Sequence, residues 1–189
     1  MPHQPTAATP RALDDETFRQ RARGLAWLLT DVDGVLTDGR MVYGPEGEET
    51  KRFHARDGLA LKLARRCGIQ VGLLSARGNR AVEVRAGELG LDRVLLGQGN
   101  KVAALESLLE ETGVPLEAVA FIGDDLPDLG VLGRVGLALC PADAATEVRQ
   151  LAHRVLHRPG GQGCVREAVE AVLQARGQWQ EAIAPFYQD

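Results

Sequence analysis

The fold follows from residues 25–39, which read LAWLLTDVDGVLTDG. The apolar run over residues 25–30 predicts a buried strand, and Asp31 and Asp33 stand two positions apart where this run ends. Side chains two positions apart on an extended chain share a face, and Gly34 permits the sharp turn that keeps both carboxylates near one site. Because two such anions repel each other, the pair predicts either a shared proton or a bound divalent cation. Oxygen ligands favour magnesium as that cation.

The rest of the chain alternates between apolar runs of strand length and longer segments with helical periodicity. Beyond the first strand, further strands are predicted at residues 70–74, 93–96, 119–122 and 135–139. Helices are predicted at residues 57–66, 80–89, 101–112, 126–134, 144–151 and 165–176. This order predicts an α/β fold with a doubly wound, mainly parallel, Rossmann-like sheet, whose ligands bind beyond the carboxyl ends of the strands.

One segment departs from this alternation. Residues 40–43 and 49–53 predict two short strands around the turn Gly44-Pro45-Glu46-Gly47, which together make a β-hairpin. A chain of 189 residues is long enough for one well-buried core and too short for two ordinary domains. We therefore expect a single domain over residues 25–189, preceded by an N-terminal extension, residues 1–24, that is disordered over about its first dozen positions.

Composition excludes several classes of protein. No apolar run approaches the roughly 20 residues that a membrane span needs, and the polar N-terminal residues lack the apolar stretch of a secretory signal. Three widely spaced cysteines are typical of reduced thiols, so we expect a cytoplasmic protein. A net charge of −4 argues against a nucleic-acid partner, since such domains usually carry a basic excess.

A second group of acids follows the strand predicted at residues 119–122. The next residues read Gly123-Asp124-Asp125-Leu126-Pro127-Asp128. Asp125 alone is typical of a helix N-cap, whose carboxylate accepts hydrogen bonds from free amides of the first turn. Five acids at the ends of two strands are better explained by a metal site than by capping.

Two further residues supply groups that suit an anion. Ser75 ends the strand predicted at residues 70–74, and Lys101 opens a predicted helix. A hydroxyl and an ammonium aimed at one phosphate would stabilise the charge of a phosphoryl group in transfer. Each residue alone is more often a solvated side chain or a helix cap, so their order along the chain carries the interpretation.

Taken in that order, the motifs DxDGxxTDG, a hydroxyl residue, a lysine and GDDxxD resemble the haloacid dehalogenase superfamily of phosphatases. The resemblance implies that Asp31 is the nucleophile and forms an aspartyl-phosphate, and that Asp33 is the general acid and base. It also implies that Ser75 and Lys101 bind phosphate. Magnesium would be held by Asp31, the main-chain oxygen of Asp33, and Asp124.

Many members of that superfamily carry a cap domain inserted after the first or second motif. Only 42 positions separate Asp33 from Ser75, and 26 separate Ser75 from Lys101, so neither gap has room for a cap. An uncovered site excludes water poorly and holds a small substrate poorly. We therefore expect neighbouring subunits to complete the site, which predicts an oligomer.

Over residues 25–187 the chain resembles the family of 3-deoxy-D-manno-octulosonate 8-phosphate phosphatases, a capless, tetrameric branch that serves lipopolysaccharide synthesis. The local matches include the hairpin, residues 53–58 (FHARDG) and residues 160–167 (GGQGCVRE). The resemblance implies a homotetramer built through the hairpins. It implies substrate contacts from Asp33, His54, Ala55, Arg56, Asp57, Gly58, Lys62, Arg77, Arg85 and Lys101. The chain departs from the family in Ser75-Ala76-Arg77, where Thr-Gly-Arg is common, which leaves fine geometry open.

The basic residues among these suit a small-molecule sugar acid phosphate, because arginine binds a carboxylate through two parallel hydrogen bonds. Arg56 stands at a strand-to-helix junction, whereas Lys62 and Arg85 would by themselves indicate a solvated helix face. Two alternatives stay open: a phosphatase for a related nine-carbon sugar acid 9-phosphate, and a non-catalytic oligomerisation module. The aromatic residues Trp179, Phe186 and Tyr187 indicate either a tail that docks on a neighbouring subunit or a frayed end.

Overall fold

The computed structural model describes residues 11–188. Its main sheet has six parallel strands in the order β5-β4-β1-β6-β7-β8, so the predicted α/β fold is confirmed. These strands are β1 (Trp27–Thr30), β4 (Gln70–Leu74), β5 (Arg93–Leu95), β6 (Val119–Ile122), β7 (Leu137–Cys140) and β8 (Arg154–Val155). A separate antiparallel hairpin joins β2 (Val42–Tyr43) to β3 (Glu49–Thr50). The predicted β-hairpin is therefore present, with shorter strands than expected.

The register of the central strands decides where the site lies. Thr30 at the end of β1 pairs with Leu73 of β4 on one side and with Ile122 of β6 on the other. All four residues of β1 and all four of β6 are buried, as expected for strands covered on both faces. The chain segments that leave β4, β1 and β6 therefore emerge side by side at the carboxyl edge of the sheet.

Eight α-helices cover the two faces of the sheet in the described part of the chain. They are α1 (Asp15–Arg23), α2 (Ala55–Arg66), α3 (Arg80–Leu89), α4 (Lys101–Thr112), α5 (Leu129–Leu132), α6 (Thr146–Leu151), α7 (Cys164–Ala175) and α8 (Trp179–Ile183). Helices α3 and α4 have the predicted bounds because side chains define where they begin: Asn79 accepts from the amide of Ala81, and Asn100 from that of Ala103.

Two apolar clusters lie on opposite faces of the sheet. One cluster packs α1, α2, α3 and α7 against the sheet, and the other packs α4, α5 and α6. Helix α1 falls in the segment expected to be an N-terminal extension, yet its Phe18 and Ala22 are buried in the first cluster. Residues 11–24 thus pack onto the folded unit, while the disorder expected at the start of the chain concerns mainly residues 1–10, outside the described residues.

Other differences from the expected elements have local causes. Residues 126–128 form a 3₁₀ turn before the short α5, and Pro127 is accommodated at its start because amides of a first turn have no partner within the helix. Strand β7 starts at Leu137 rather than at residue 135 because Gly136 packs directly on the backbone of Glu117. Strand β8 is a two-residue edge strand, too short to give an apolar pattern. No helix in the range 11–188 is both long and apolar enough to cross a bilayer.

Candidate active site

Three acids meet at the carboxyl edge of the sheet. Asp31 follows β1, while Asp124 and Asp128 lie in the segment after β6. One carboxylate oxygen from each lies within 4.8 Å of the others. The cluster sits in an open cavity of about 260 Å³, whose lining includes Asp31, Asp33, Ser75, Arg77, Lys101 and Asp124. The structure therefore brings together six of the residues that sequence reasoning assigned to one site.

Lys101 binds two of these acids. Its Nζ donates to Asp128 Oδ1 at 2.6 Å and lies 3.0 Å from Asp31 Oδ1. The remaining oxygen of Asp128, Oδ2, accepts from the backbone amides of Asp124 and Asp125 at 2.9 and 3.3 Å. Asp128 is 1% exposed and fully engaged, so it holds the ammonium and the loop in place rather than offering oxygens to a ligand.

Burial and mutual repulsion raise the pKa values of the other two acids. Desolvation, with the negative charge of Asp128, raises the pKa of Asp31 to about 6 despite the neighbouring ammonium of Lys101. Desolvation and the charge of Asp31 raise the pKa of Asp124 to about 8. The pKa of Lys101 is itself raised, because attraction to Asp31 and Asp128 outweighs the effect of its burial. The site therefore holds more negative charge than its own cation balances.

A divalent cation fits this arrangement. Oδ1 of Asp31 and Oδ1 of Asp124 are buried and accept no hydrogen bond from the described residues, although Lys101 lies nearby. Asp124 Oδ1 thus has no partner there, and the ammonium of Lys101 is the one positive charge beside Asp31 Oδ1. Such hard oxygen donors match what Mg²⁺ requires of a protein. Gly34 leaves room for the carboxylate of Asp124, since a Cβ at position 34 would lie 2.0 Å from Asp124 Oδ2.

Asp33 belongs to a different set of contacts. Its Oδ1 accepts from Lys51, a hairpin residue whose side chain is 2% exposed and whose Nζ also lies 2.6 Å from Glu49 Oε1. Arg77 lies 3.2 Å from Glu49 and 3.8 Å from Asp33 Oδ2. The hairpin thus contacts Asp33 through Lys51. Sequence reasoning did not assign Lys51 to the site, because a lysine in a short polar strand is ordinarily solvated.

Ser75 also lines the cavity. It is 2% exposed, and its Oγ accepts from the amide of Arg77 at 3.3 Å. The hydroxyl hydrogen is free to point into the cavity, since no bond from this hydroxyl to a protein acceptor is found among the described residues. Ser75 and Lys101 therefore flank Asp31 from two different strand ends, as an anion-binding pair would.

Known proteins share both this sequence and this fold. Residues 94–164 match the haloacid dehalogenase-like hydrolase family. The chain is 40% identical over 162 residues, 86% of each chain, to the 3-deoxy-D-manno-octulosonate 8-phosphate phosphatase KdsC of Escherichia coli. It is 39% identical over 160 residues to that of Haemophilus influenzae, covering 85% of this chain and 89% of the relative. This chain belongs to the KdsC family of haloacid dehalogenase-like hydrolases.

Solved structures of KdsC proteins agree with this assignment. The structure of the Moraxella catarrhalis phosphatase, in complex with magnesium, phosphate and KDO, has a TM-score of 0.89 at 35% identity, covering 92% of this chain and 99% of that one. The cobalt-bound Haemophilus influenzae phosphatase has a TM-score of 0.84 at 37% identity, covering 90% and 100%. The metal and phosphate belong to the former structure, and the cobalt to the latter.

The remaining residues that the KdsC resemblance implied are spread around α2. His54 caps this helix, its Nδ1 accepting from the amide of Arg56 at 3.2 Å, and Ala55 and Arg56 are solvent-accessible in the first turn. Gly58 leaves space for the guanidinium of Arg85, which a Cβ there would meet at 2.2 Å.

Two residues of that set lie away from the cavity. Asp57 is 1% exposed and points into the protein, where it accepts from the amide of Arg166 at 2.7 Å. Lys62 is exposed and lines a groove between α2 and α3 beside Arg65 and Asp92. Within one chain, neither side chain lines the cavity that contains Asp31, so their expected substrate contacts stay predictions.

Proposed function

We propose that this chain is a magnesium-dependent phosphatase that hydrolyses 3-deoxy-D-manno-octulosonate 8-phosphate to the free sugar acid and phosphate, in the synthesis of lipopolysaccharide precursors. The observation that carries the proposal is the meeting of the Asp31 and Asp124 carboxylates, which a single ammonium, that of Lys101, does not balance, in a cavity that Ser75 also lines. Identity of about 40% to KdsC phosphatases over most of the chain supports the same substrate.

Asp31 is the proposed nucleophile. It stands at the end of β1, 8% exposed, with one oxygen beside Lys101 and room in front for a phosphate. A carboxylate attacking a phosphate dianion must overcome repulsion, and Lys101 with the hydroxyl of Ser75 reduces it. Magnesium, when held by Asp31, Asp124 and the main-chain oxygen of Asp33, would supply the remaining positive charge.

Asp33 is the proposed general acid and base. A sugar alkoxide is a poor leaving group, so Asp33 in its protonated form delivers a proton to it while the Asp31–phosphate bond forms. The resulting carboxylate then takes a proton from the water that hydrolyses the aspartyl-phosphate. Lys51 binds Asp33 on the side of the hairpin, which holds the carboxylate in a fixed direction through both steps.

The substrate's carboxylate requires cationic groups beyond the phosphate site. Arg77 lies at the rim of the cavity with its side chain 49% exposed, and Arg56 and Arg85 lie at the start of α2 and on α3. The cavity is open on the hairpin side, where Met41, Val42 and Tyr43 are exposed. We propose that a homotetramer covers the open side of the cavity and the exposed hairpin residues. Neighbouring chains would then provide the wall that a cap domain provides in other members of the superfamily. The free thiols of Cys67, Cys140 and Cys164 support a cytoplasmic location.

Phosphate release from a panel of sugar acid phosphates, with magnesium and with a chelator, tests the proposal. We expect magnesium-dependent turnover with the eight-carbon 8-phosphate preferred, and loss of at least about a thousandfold in Asp31→Asn with the fold unchanged. Preference for the nine-carbon 9-phosphate would correct the substrate. Inactivity on every member would favour the oligomerisation module.

A further inference from the structure

We infer that Asp57 is a positioning residue that holds the segment Asp31–Gly39, called here the acidic loop, in its active geometry through the N-terminus of α7. The inference rests on the proposed function, because the group that is positioned is the proposed nucleophile. It assigns Asp57 a role different from the substrate contact that the family resemblance implied.

Asp57 caps a helix that lacks a cap of its own. Helix α7 spans 12 residues, and its N-cap position is Gly163, with φ +99° and no side chain to accept from the first-turn amides. Asp57 projects from α2 and accepts from the amide of Arg166 in that turn at 2.7 Å. A carboxylate at a helix N-terminus satisfies a free amide and interacts favourably with the helix dipole. Asp57 thus anchors α7 to α2.

The contact between Asp57 and α7 has an energetic cost because the carboxylate is buried. Asp57 is 1% exposed, and its Oδ2 is buried without a hydrogen-bond partner among the described residues. Burying a carboxylate with one oxygen unsatisfied is unfavourable. An ionised carboxylate accepts a stronger hydrogen bond than an uncharged amide oxygen does and also interacts with the helix dipole, so it attaches the start of α7 more firmly.

The anchored helix in turn holds the acidic loop. The turn before α7, residues Gly160–Gly163, lies against the acidic loop. Gly161 donates from its amide to the carbonyl of Val35 at 2.9 Å, and Cys164 at the start of α7 donates from Sγ to the same oxygen at 3.2 Å. A Cβ on Gly160 would lie 1.9 Å from the carbonyl oxygen of Gly34. Backbone touches backbone here, so a shift of α7 moves Gly34 and Val35.

A displacement of Gly34 would also displace the carboxylates of the proposed active site. Gly34 follows Asp33 and lies against the carboxylate of Asp124, with no room for a Cβ between them. The position of Gly34 therefore sets the distance between the acids after β1 and those after β6. A misplacement of about 1 Å can cost about a hundredfold in rate, so loosening the start of α7 should lower kcat without removing any group that touches substrate.

The test compares Asp57→Ala and Asp57→Asn with Asp14→Ala, using the full-length protein with magnesium. Asp14 is the matched control, since it caps α1 by accepting from the amide of Thr17 at 2.7 Å and lies outside the cavity lining. The readouts are kcat and KM on the sugar acid phosphate and on p-nitrophenyl phosphate, together with hydrogen exchange of the acidic loop and of the first turn of α7.

The inference predicts that Asp57→Ala lowers kcat about 10- to 100-fold on both substrates by the same factor, with faster exchange in both segments. Asp57→Asn, whose side chain is a weaker acceptor, should lower kcat about threefold with the same pattern of hydrogen exchange. This variant replaces Asp57→Ala in the test if the alanine variant does not fold. Asp14→Ala should leave kcat unchanged. Loss confined to the sugar substrate, through KM, would overturn the inference in favour of a substrate contact.

A lowered thermal midpoint with unchanged kcat, or faster exchange in α7 alone, would also overturn it. Failure of the proposed function is distinguishable from these outcomes. If the wild-type protein hydrolysed p-nitrophenyl phosphate but no sugar acid phosphate, the substrate assignment would fail while the inference would still be tested. If the wild-type protein hydrolysed neither substrate, hydrogen exchange would still test the inference. Faster exchange of the acidic loop in the two Asp57 variants would support it, and unchanged exchange would overturn it.

Discussion

The acidic loop and the hairpin follow each other along the chain and differ in how they are held. The acidic loop is held by backbone contacts within one chain: its Val35 carbonyl accepts hydrogen bonds from the amide of Gly161 and from Sγ of Cys164, and Gly34 abuts Asp124. The hairpin strand β2 exposes both of its residues, and Lys51 provides the hairpin's buried link to the acids.

This difference separates two parts of the proposed catalysis. The groups that act on phosphorus need fixed distances, and a single chain supplies them. The groups that hold the sugar acid need a wall, and the hairpin side of the single chain is open and partly apolar. The proposed homotetramer would cover the exposed side chains of Met41, Val42 and Tyr43. Three pairs of variants and one pH dependence test whether the two regions differ in this way.

The largest effect is expected from Gly34→Ala compared with Gly68→Ala. The two glycines have similar φ values, +87° and +81°, but only Gly34 would place a Cβ against another residue, Asp124. Both variants should lose about 1 kcal/mol from left-handed backbone strain. Gly34→Ala should in addition lose about a hundredfold in kcat because Asp124 is displaced. Steady-state kinetics and thermal unfolding measure both terms, and equal kcat in the two variants would show that the acids tolerate movement.

Lys51→Met tests the buried contact between the hairpin and Asp33. Methionine keeps the length of the chain but removes the cation between Asp33 and Glu49, so Asp33 loses its fixed direction. We expect kcat to fall about tenfold on the sugar phosphate and less than threefold on p-nitrophenyl phosphate, whose leaving group needs no proton. Arg52→Met, the same charge change one position along, is the control. Equal losses on both substrates would show that Lys51 acts through the hydrolysis of the aspartyl-phosphate, which both substrates share, and unchanged kcat on both would place Lys51 outside the action of Asp33.

Val42→Asp and Val84→Asp test the exposed face of the hairpin. The two valines are equally exposed, at 48%, but Val84 lies on α3 rather than on the hairpin. If hairpins pack together, a charge at position 42 should dissociate the assembly and raise KM for the sugar substrate several-fold, because burying a valine stabilises by about 2 kcal/mol. Sedimentation velocity gives the subunit number. A tetramer that survives Val42→Asp would remove the hairpin from the proposed interface.

The smallest effect is expected in the pH dependence of stability without magnesium. The raised pKa values, about 6 for Asp31 and about 8 for Asp124, mean that the folded protein binds more protons than the unfolded chain, whose carboxyls titrate near pH 4. The free energy of unfolding should therefore fall as pH rises from about 4 to about 8. Magnesium binds the deprotonated carboxylates, so its stabilisation should grow over the same range.

Thermal unfolding at pH 6 and pH 8, with magnesium or with a chelator, measures this effect. The gain in midpoint on adding magnesium should be larger at pH 8 by a few degrees. Asp124→Asn should abolish most of that gain and flatten the pH dependence of the chelated protein. A gain that is the same at both pH values would argue against the ion competing with protons at these two acids.

The sequence predicted the parts of the molecule that local patterns determine. Strands with runs of buried apolar residues, and helices with asparagine caps, had nearly their predicted bounds, and parallel strand ends brought Asp31, Ser75 and Asp124 to one edge. Lys51 and Asp57 could not be assigned in this way. Their partners, Asp33 and the amide of Arg166, lie 18 and 109 positions away, and no periodicity records such contacts. Helix α1 was missed because it buries only Phe18 and Ala22.

Detection of a phosphoryl group on Asp31 tests whether this residue is the nucleophile. Asp33→Asn should still form the aspartyl-phosphate from p-nitrophenyl phosphate and magnesium, but it lacks the base that hydrolyses it. Acid quenching followed by mass spectrometry should find one phosphoryl group on the peptide that contains residues 25–39, at Asp31, and none in Asp31→Asn. Continued turnover with no phosphorylated peptide, or with the label on another residue, would contradict the account.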